Sequence, residues 1–386
     1  MPTCTALTQC LACDSGNLEE VLDLGHQALA NDFSVSQFPD QKFPLGLNYC
    51  HHCSHLQLTH SVERARLFDQ YQYLSGTSET LIQDFENFAN KLHEEFGASK
   101  ILDVACNDGS QLDSFKKLGW ETFGIDPARN LFELTRDKHT VVCDYLKPQH
   151  AHTFQTKVTL AQNVMAHTSS PQEMLETMGF ISPNSFTQTS QAEMIQKNQF
   201  DTIYHEHISF FSERSFYELS AKVDFPLVSI EKRSIHGQSF LFRNRKDGDW
   251  IQRPEKLEYA KVRDFAQNSQ SIRRKLDQEI GSLRGKGLKL VGYGAAAKGM
   301  TVLNSIEESL DLIVDDSPLK QNKFTPTKKI PIFAPSILND FDAEFVLVLL
   351  AWNFKDEVLR KVKKQINRPF KVLEYFPEVS VYDYSD

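Results

Sequence analysis

Nowhere in the 386 residues does an apolar run approach the roughly 18 that a membrane-spanning helix needs. The opening stretch, Met1-Pro-Thr-Cys-Thr-Ala-Leu-Thr-Gln-Cys10, lacks the basic start and apolar segment of an export signal. A cytoplasmic protein without a membrane partner is therefore expected. Basic charge is also in short supply: 42 Lys and Arg against 51 Asp and Glu leave a net charge of -9, which argues against a broad nucleic-acid footprint. Cysteine is scarce beyond the N-terminal region, since five of the seven lie in the first 53 residues. The length suits two or three domains, and 28 Phe residues suit large cores better than disorder.

Four of the cysteines form two pairs, Cys10-Leu-Ala-Cys13 and Cys50-His-His-Cys53. A two-residue gap in a tight turn lets both thiolates face one point, and two such knuckles supply the tetrahedral sulfur set that zinc prefers. Sulfur fills all four positions, so the zinc is expected to be structural. His51, His52 or His55 could replace one cysteine, and Cys4 is left as a spare. A disulfide framework does not suit a reducing compartment. The acidic surroundings (Asp14, Glu19, Glu20, Asp23, Asp32, Asp40) weaken a nucleic-acid role for the knuckles.

After a helical stretch, Glu79 to Phe96, the segment Ser99 to Leu112 reads as a buried strand, a tight loop at Asn107-Asp-Gly109 and a helix start at Ser110. A second strand, Glu121 to Ile125, ends on Asp126, with Pro127 opening the next helix. Further strands are expected at 140–143, 156–164 and 185–189, and this βα alternation implies a parallel, doubly wound sheet with its ligand crevice at the carboxyl ends of the strands. A dinucleotide site would show G-x-G-x-x-G, whereas here Asp103 and Asp108 flank the loop and would repel phosphate. They suit a ligand bearing an ammonium and a sulfonium, as S-adenosylmethionine (SAM) does. The expected donor site comprises Asp103, Ala105, Asn107, Asp108 and Gly109, then Asp126 and Pro127 for the ribose, Asp144 for the adenine amino group, and Asn163.

Phe200-Asp-Thr-Ile-Tyr-His-Glu-His-Ile-Ser-Phe-Phe211 puts four proton-handling side chains in a row between apolar flanks. In an extended chain Tyr204 and Glu206 share one side, and His205 and His207 the other. The run reads either as a base with its orienting partners or as a His-x-His metal pair. Upstream, Asn163-Val-Met-Ala-His167 could present Asn163 and His167 to the same crevice.

These motifs resemble, in order and over nearly the whole chain, the SAM-dependent C-methyltransferases that act on nucleotide-linked (TDP-type) 4-keto deoxysugars. The residues carrying the resemblance are the four cysteines with Ala30-Asn-Asp-Phe33 between them, Tyr71-Gln-Tyr-Leu-Ser-Gly-Thr-Ser78, Asn107-Asp-Gly109, Gly124-Ile-Asp-Pro-Ala-Arg-Asn130, Asn163 to His167, Asp201 to Phe211, Ile235-His-Gly-Gln-Ser239 and Gly292-Tyr-Gly-Ala-Ala-Ala-Lys-Gly299. The resemblance implies His207 as the base, Tyr204, Glu206 and His167 around the sugar, and Tyr71 or Tyr73 lining the donor site. Two departures stand out: Ala105-Cys106 where the family often has Gly-Ser, and Phe186-Thr-Gln188-Thr where an acidic residue is common.

A charged helical pattern, Arg253 to Arg284, precedes Leu288-Lys-Leu-Val-Gly-Tyr-Gly-Ala-Ala-Ala-Lys-Gly299, which reads as strand, glycine turn and helix start. This stretch is closer to a dinucleotide fingerprint and supports an alternative, an NAD-dependent nucleotide-sugar enzyme. A non-catalytic zinc-containing nucleotide-sugar binder is a further alternative. The resemblance instead implies a nucleotide-sugar diphosphate on this helix start beside Lys298. Together with His205, His236, Tyr293, Asp315 and Asn353, Lys298 is expected to bind substrate. The whole is expected to be α/β: a small zinc-binding domain (1–68), a class I SAM-methyltransferase Rossmann-like core (69–250), a helical connector (251–284) and a C-terminal Rossmann-like nucleotide-sugar-binding domain (285–386), acting as a monomer or weak dimer.

Overall fold

The structure is a computed structural model and describes residues 4–69, 74–189, 194–235, 238–341, 344–366 and 368–384. The chain divides into two compact units. The first contains Met1–Glu20, Asn48–Ala192 and Glu206–Tyr259, and the second contains Val21–Leu47, Glu193–His205 and Ala260–Asp386. Among the described residues no helix is long and apolar enough to cross a membrane.

The first unit is built on seven strands: β1 (Lys100–Val104), β2 (Glu121–Ile125), β3 (Thr140–Val142), β4 (Val158–Gln162), β5 (Asn184–Thr189), β6 (Leu227–Arg233) and β7 (Ser239–Arg245). Their order across the sheet is β6-β7-β5-β4-β1-β2-β3. The first five pair in parallel, and β7 runs antiparallel to both β5 and β6. Strand order reverses between β1 and β4, which opens a crevice beyond their carboxyl ends. This is the expected class I methyltransferase sheet.

Parallel strands are covered on both faces, so they read as continuous apolar runs. One cover is α1 (Glu79–Phe96), capped by Ser78, whose side chain accepts from Leu81 N–H. Its buried residues Leu81, Phe85, Phe88, Ala89 and Leu92 recur at helical spacing and face the sheet. Phe88 and Leu92 share a core with Ile101, Phe115, Trp120 and Phe186. The second helix, α2 (Ser110–Lys117), follows the loop after β1. The opposite core joins Leu102, Val104, Met174 and Phe242 to Cys10, Cys50 and Cys53, so the cysteine knuckles pack as part of this unit's interior.

The C-terminal part of the second unit is led by α3 (Tyr259–Gly285), a 27-residue helix that buries Val262, Phe265, Ile272, Leu276, Ile280 and Leu283. Six strands follow: β8 (Lys289–Tyr293), β9 (Leu312–Val314), β10 (Ile332–Phe333), β11 (Phe345–Leu349), β12 (Phe370–Glu374) and β13 (Ser380–Tyr384). Their order is β10-β9-β8-β11-β12-β13, parallel except for β13. That is the Rossmann order, with its reversal between β8 and β11. Helix α4 (Ala297–Asn304) follows the turn after β8.

Phe115 is fully buried, with its ring 5.3 Å from that of Trp120. Phe115→Ala is expected to cost about 3–5 kcal/mol of stability, read from the denaturant midpoint of the first unit.

Candidate functional site

The loop after β1 turns sharply because Ala105, Asn107 and Gly109 all adopt positive φ, 60°, 51° and 80°. A side chain at Gly109 would press on Thr135 at 3.1 Å and His139 at 3.2 Å, so the position needs glycine for space as well as for φ. Ala105 departs from the family's glycine and carries the modest strain of an L-residue in this region. Cys106 fits because β2 offers Gly124 opposite it, where a Cβ would come within 2.7 Å of the Cys106 sulfur.

Asp126, at the end of β2, accepts from the N–H of Asn107 at 2.9 Å and of Ala128 at 2.8 Å. Asp103 and Asp126 are 4% and 5% exposed. Burial, reinforced by the neighbouring Asp126 charge, pushes Asp103 up to about 8. Burial raises Asp126 to about 6 against the pull of its two backbone donors. Two buried carboxyls that both resist ionisation form a niche that a cationic ligand would relieve, and the ammonium and sulfonium of SAM fit it.

Asp108 has a different job. Its Oδ2 accepts from Gly76 N–H at 2.7 Å, and its Oδ1 from the Ser110 N–H and hydroxyl at 3.1 and 2.7 Å. With Asn107, which accepts from Ser75 N–H at 3.0 Å, it fastens the 75–77 turn to the loop. Tyr71 and Tyr73, expected to line the donor site, lie outside the described residues, as does His236. Asp144 takes Lys147 at 2.7 and 2.8 Å and its neighbour's N–H at 2.8 Å. Burial opposes its ionisation, but the Lys147 hydrogen bond, the Tyr145 N–H and the charges of Lys147 and His150 together outweigh it and keep the carboxyl below its ordinary range. Adenine would therefore meet a carboxylate already engaged.

Beside Asp144 stands Tyr145, which the motif reading missed although it directly follows a named position. Its ring lies 4.4 Å from the Arg64 guanidinium, and its hydroxyl donates to Asp69 at 3.2 Å. Pro127 is half-buried after Asp126. Gln188, which stands where the family often has an acid, accepts from Arg233 at 2.6 Å, and Arg233 also pairs with Asp84 at 2.5 Å. The guanidinium's countercharge thus comes from α1 rather than from β5.

The Tyr-His-Glu-His run does not extend as a strand. His205 and Glu206 form a turn, and pairing begins only at Ser209–Phe210, so the two-face alternation does not apply. The turn brings His207 to His167: the rings are 4.9 Å apart and nearly perpendicular, at 80°. A backbone bond from Ile208 N–H to Ala166 carbonyl, 2.7 Å, locks the two segments together. His207 is 5% exposed and Glu206 2%. Burial holds His167 down to about 4, opposed by the Asn163 backbone, so this ring is neutral at physiological pH. Its Nδ1 and the Asn163 side-chain oxygen are buried without partners among the described residues.

In the second unit Asp315, at the end of β9, accepts from the N–H of Ala295 at 2.7 Å and of Ser317 at 2.8 Å. Tyr293 donates to Asp316 at 3.0 Å, and Asn353 is half-buried in the Trp352–Phe354 turn after β11. Two of the expected substrate ligands turn their polar atoms inward. His205 places Nε2 3.3 Å from the Phe43 carbonyl, and burial lowers it to about 4. Lys298 buries its ammonium beside Asp201 and Trp352, which leaves it poorly placed for a diphosphate.

Cys10, Cys13, Cys50 and Cys53 place their sulfurs within 4.8 Å of one another. The contacts Cys10–Cys53 and Cys13–Cys50 are 3.5 and 3.7 Å. A zinc–sulfur bond of about 2.3 Å implies tetrahedral edges of about 3.8 Å, so the set fits zinc and leaves no open position. His55 does not join it, being bonded to Ser209 at 3.2 Å, and His51 pairs with Glu19 at 2.8 Å.

Three family models match successive parts of the chain: a zinc binding domain over residues 10–68, a methyltransferase domain over 58–230 and a C-methyltransferase C-terminal domain over 253–377. The C-methyltransferase NovU of Streptomyces niveus is 25% identical over 408 aligned positions, covering 97% of each chain. Among solved structures, the magnesium protoporphyrin IX methyltransferase ChlM of Synechocystis PCC 6803 with bound SAM is 10% identical at a TM-score of 0.34, over 43% of this chain and 79% of that one. The plantazolicin methyltransferase BpumL in complex with S-adenosylhomocysteine is 15% identical at 0.35, over 42% and 82%. A methyltransferase model over the five parallel strands, with paired carboxyls at their crevice, makes SAM the donor. A zinc binding model over the sulfur cluster makes zinc the metal.

Cys53→Ser is expected to lose the zinc, measured by elemental analysis, and to melt earlier, because the cluster is part of the core. Retained zinc with lost turnover would instead mark a catalytic metal. Asp103 carries a separate pH signature. A carboxyl raised on folding stabilises below its unfolded value, about 4, and that stability is lost as pH rises towards about 8. The ligand-free protein should therefore melt progressively earlier over this window, and Asp103→Asn should flatten the profile; an unchanged slope in the variant would contradict the assignment.

Proposed function

We propose that this chain, a member of the SAM-dependent C-methyltransferases, methylates the carbon beside the ketone of a nucleotide-linked keto-sugar, with His207 as the base. One observation carries the reading: two shielded imidazoles, His167 and His207, meet with rings 4.9 Å apart, tied by a backbone bond between their segments. Carbon methylation needs a base that takes a proton from carbon near neutral pH, and a neutral histidine beside an uncharged neighbour can do so. The resemblance of the motifs to keto-sugar C-methyltransferases supports the acceptor class.

In the reaction His207 removes the proton from the carbon next to the ketone, and the electron pair of that C–H bond delocalises onto the carbonyl oxygen. Tyr204 donates a hydrogen bond to the developing enolate oxygen, Glu206 steadies the imidazolium, and His167 orients the base without adding a competing charge. Bound SAM supplies the electrophilic methyl group. Asp103 and Asp126 balance its positive charge, Asn107 and Asp108 fasten the 75–77 turn by the loop, and Tyr71 or Tyr73 lines the donor. Tyr293, Asp315 and Asn353, at the carboxyl edge of the second sheet, are assigned to the nucleotide. The zinc is structural, a cytoplasmic setting suits its thiolate ligands, and the four-part division at 68, 250 and 284 belongs to the same reading.

Deprotonation is separable from methyl transfer. With a dTDP-linked 4-keto-6-deoxyhexose, S-adenosylhomocysteine and heavy water, the wild type should wash deuterium into the position next to the ketone. His207→Ala should lose exchange and methylation by roughly 10²- to 10⁴-fold and still bind S-adenosylhomocysteine. Full exchange in that variant would move the base to His167.

A further inference from the structure

Lys298 inverts the usual behaviour of lysine. Its stem is partly exposed, yet its Nζ is shielded and has no hydrogen-bond partner among the described residues. Lysine ordinarily lays its stem on the protein and puts the charge in water, so an inward ammonium needs a compensating environment. Two groups supply it. The Trp352 ring centroid is 4.9 Å from Nζ, and the Asp201 carboxylate interacts with it electrostatically. Trp352 in turn donates its indole N–H to Asp201 Oδ2 at 2.6 Å. Asp201 is fully buried, and its other oxygen has no partner among the described residues. The three side chains, all from the second unit, form a closed set in which the indole both binds the anion and faces the cation.

This set grips the turn that leads into the Tyr-His-Glu-His run. Phe200, beside Asp201, is fully buried with its ring 5.7 Å from Phe376, whose ring lies 5.6 Å from Trp352. On the far side of Tyr204, His205 is tied to the Phe43 carbonyl at 3.3 Å, with its ring edge-on to Phe43. From Gln199 to Phe211 every residue is buried except Tyr204, which is half-buried. The stretch is clamped on both sides of one side chain that is left partly open.

We propose that Asp201, Trp352 and Lys298 are positioning residues for the methyl transfer, fixing the turn so that Tyr204 meets the acceptor. The inference rests on the keto-sugar reading above for its chemistry, and on the buried Asp201–Trp352–Lys298 set for its geometry. None of the three is expected to touch the reacting atoms.

The test uses the full chain with the wild-type protein, K298M, W352F and Y204F. W352F removes the indole N–H and keeps a smaller aromatic ring in the same place, so it should fold even if K298M does not. With the dTDP-linked 4-keto-6-deoxyhexose and S-adenosylhomocysteine in heavy water, kcat for exchange should fall about 10- to 100-fold in K298M and W352F, since a small misplacement of a reacting group costs on this order. Affinity for S-adenosylhomocysteine should stay within about twofold, because the donor crevice lies in the first unit. In a Y204F background K298M should add little further loss. Wild-type exchange in either variant, or an equal loss with and without the Tyr204 hydroxyl, would overturn the inference. A second readout needs no sugar: amide hydrogen exchange of residues 199–208, followed by mass spectrometry, should quicken at least about tenfold in W352F. Unchanged protection would overturn the anchor. A wild type that exchanges nothing would count against the keto-sugar reading alone.

Discussion

In both units an acid at the end of the second strand holds the turn that follows the first. Asp126 accepts from Asn107 and Ala128, and Asp315 from Ala295 and Ser317. The backbone repeats as well: the N–H of Ala105 meets the Ile125 carbonyl at 2.7 Å, and that of Gly294 the Val314 carbonyl at 2.8 Å. Parallel strands covered on both faces leave only their carboxyl edges for chemistry, and this clamp shapes that edge twice. The surroundings then differ. Asp126 faces a second buried carboxyl, Asp103, and suits a cation, whereas Asp315 has Lys320 3.6 Å away and is already neutralised. One backbone device thus serves two electrostatic settings.

The zinc cluster belongs to this architecture rather than sitting beside it. Cys10, Cys50 and Cys53 share a core with Leu102 and Val104 of β1 and with Phe211 and Phe216 just beyond the Tyr-His-Glu-His run. Clustered thiols cannot all be ionised unaided: mutual hydrogen bonding lowers Cys13 and Cys50 and raises Cys10 and Cys53. A divalent cation resolves the conflict. Residues flanking the second knuckle also hold Leu257, whose N–H donates to the Ser54 hydroxyl at 3.0 Å and whose carbonyl accepts from the Tyr49 hydroxyl at 2.7 Å.

Two of the residues assigned to the reaction are among the buried polar groups of the first unit. His207 is 5% exposed beside His167, and Glu206 is 2% exposed next to it. Upstream, Asp201 and Lys298 keep opposite charges inside the second unit, and each weakens the burial cost of the other: burial raises Asp201 to about 6 and lowers Lys298, while their attraction opposes both shifts. The proposed enolate chemistry would benefit from such burial, because stabilisation of a developing oxyanion depends on donors that need no reorganisation.

Local pattern determined much of this protein. The two Cys-x-x-Cys knuckles are legible because ligand spacing is a local property of a turn. Helix α1 appears over its full length, and β2 appears residue for residue, since apolar periodicity and flanking glycines act over a few positions. What tertiary structure alone decided is which polar atoms face a ligand and which face protein. Asp108 and Asp144 occupy donor-site positions in the sequence, yet the fold brings Gly76 and Lys147 to them. Lys298 opens a helix after a glycine turn, and only the approach of Asp201 and Trp352, 97 and 54 positions away, draws its charge inward. Such pairings join residues far apart in sequence, and no local spacing encodes them: they exist only once the sheets have formed and the desolvation of one charge has made the nearness of another necessary.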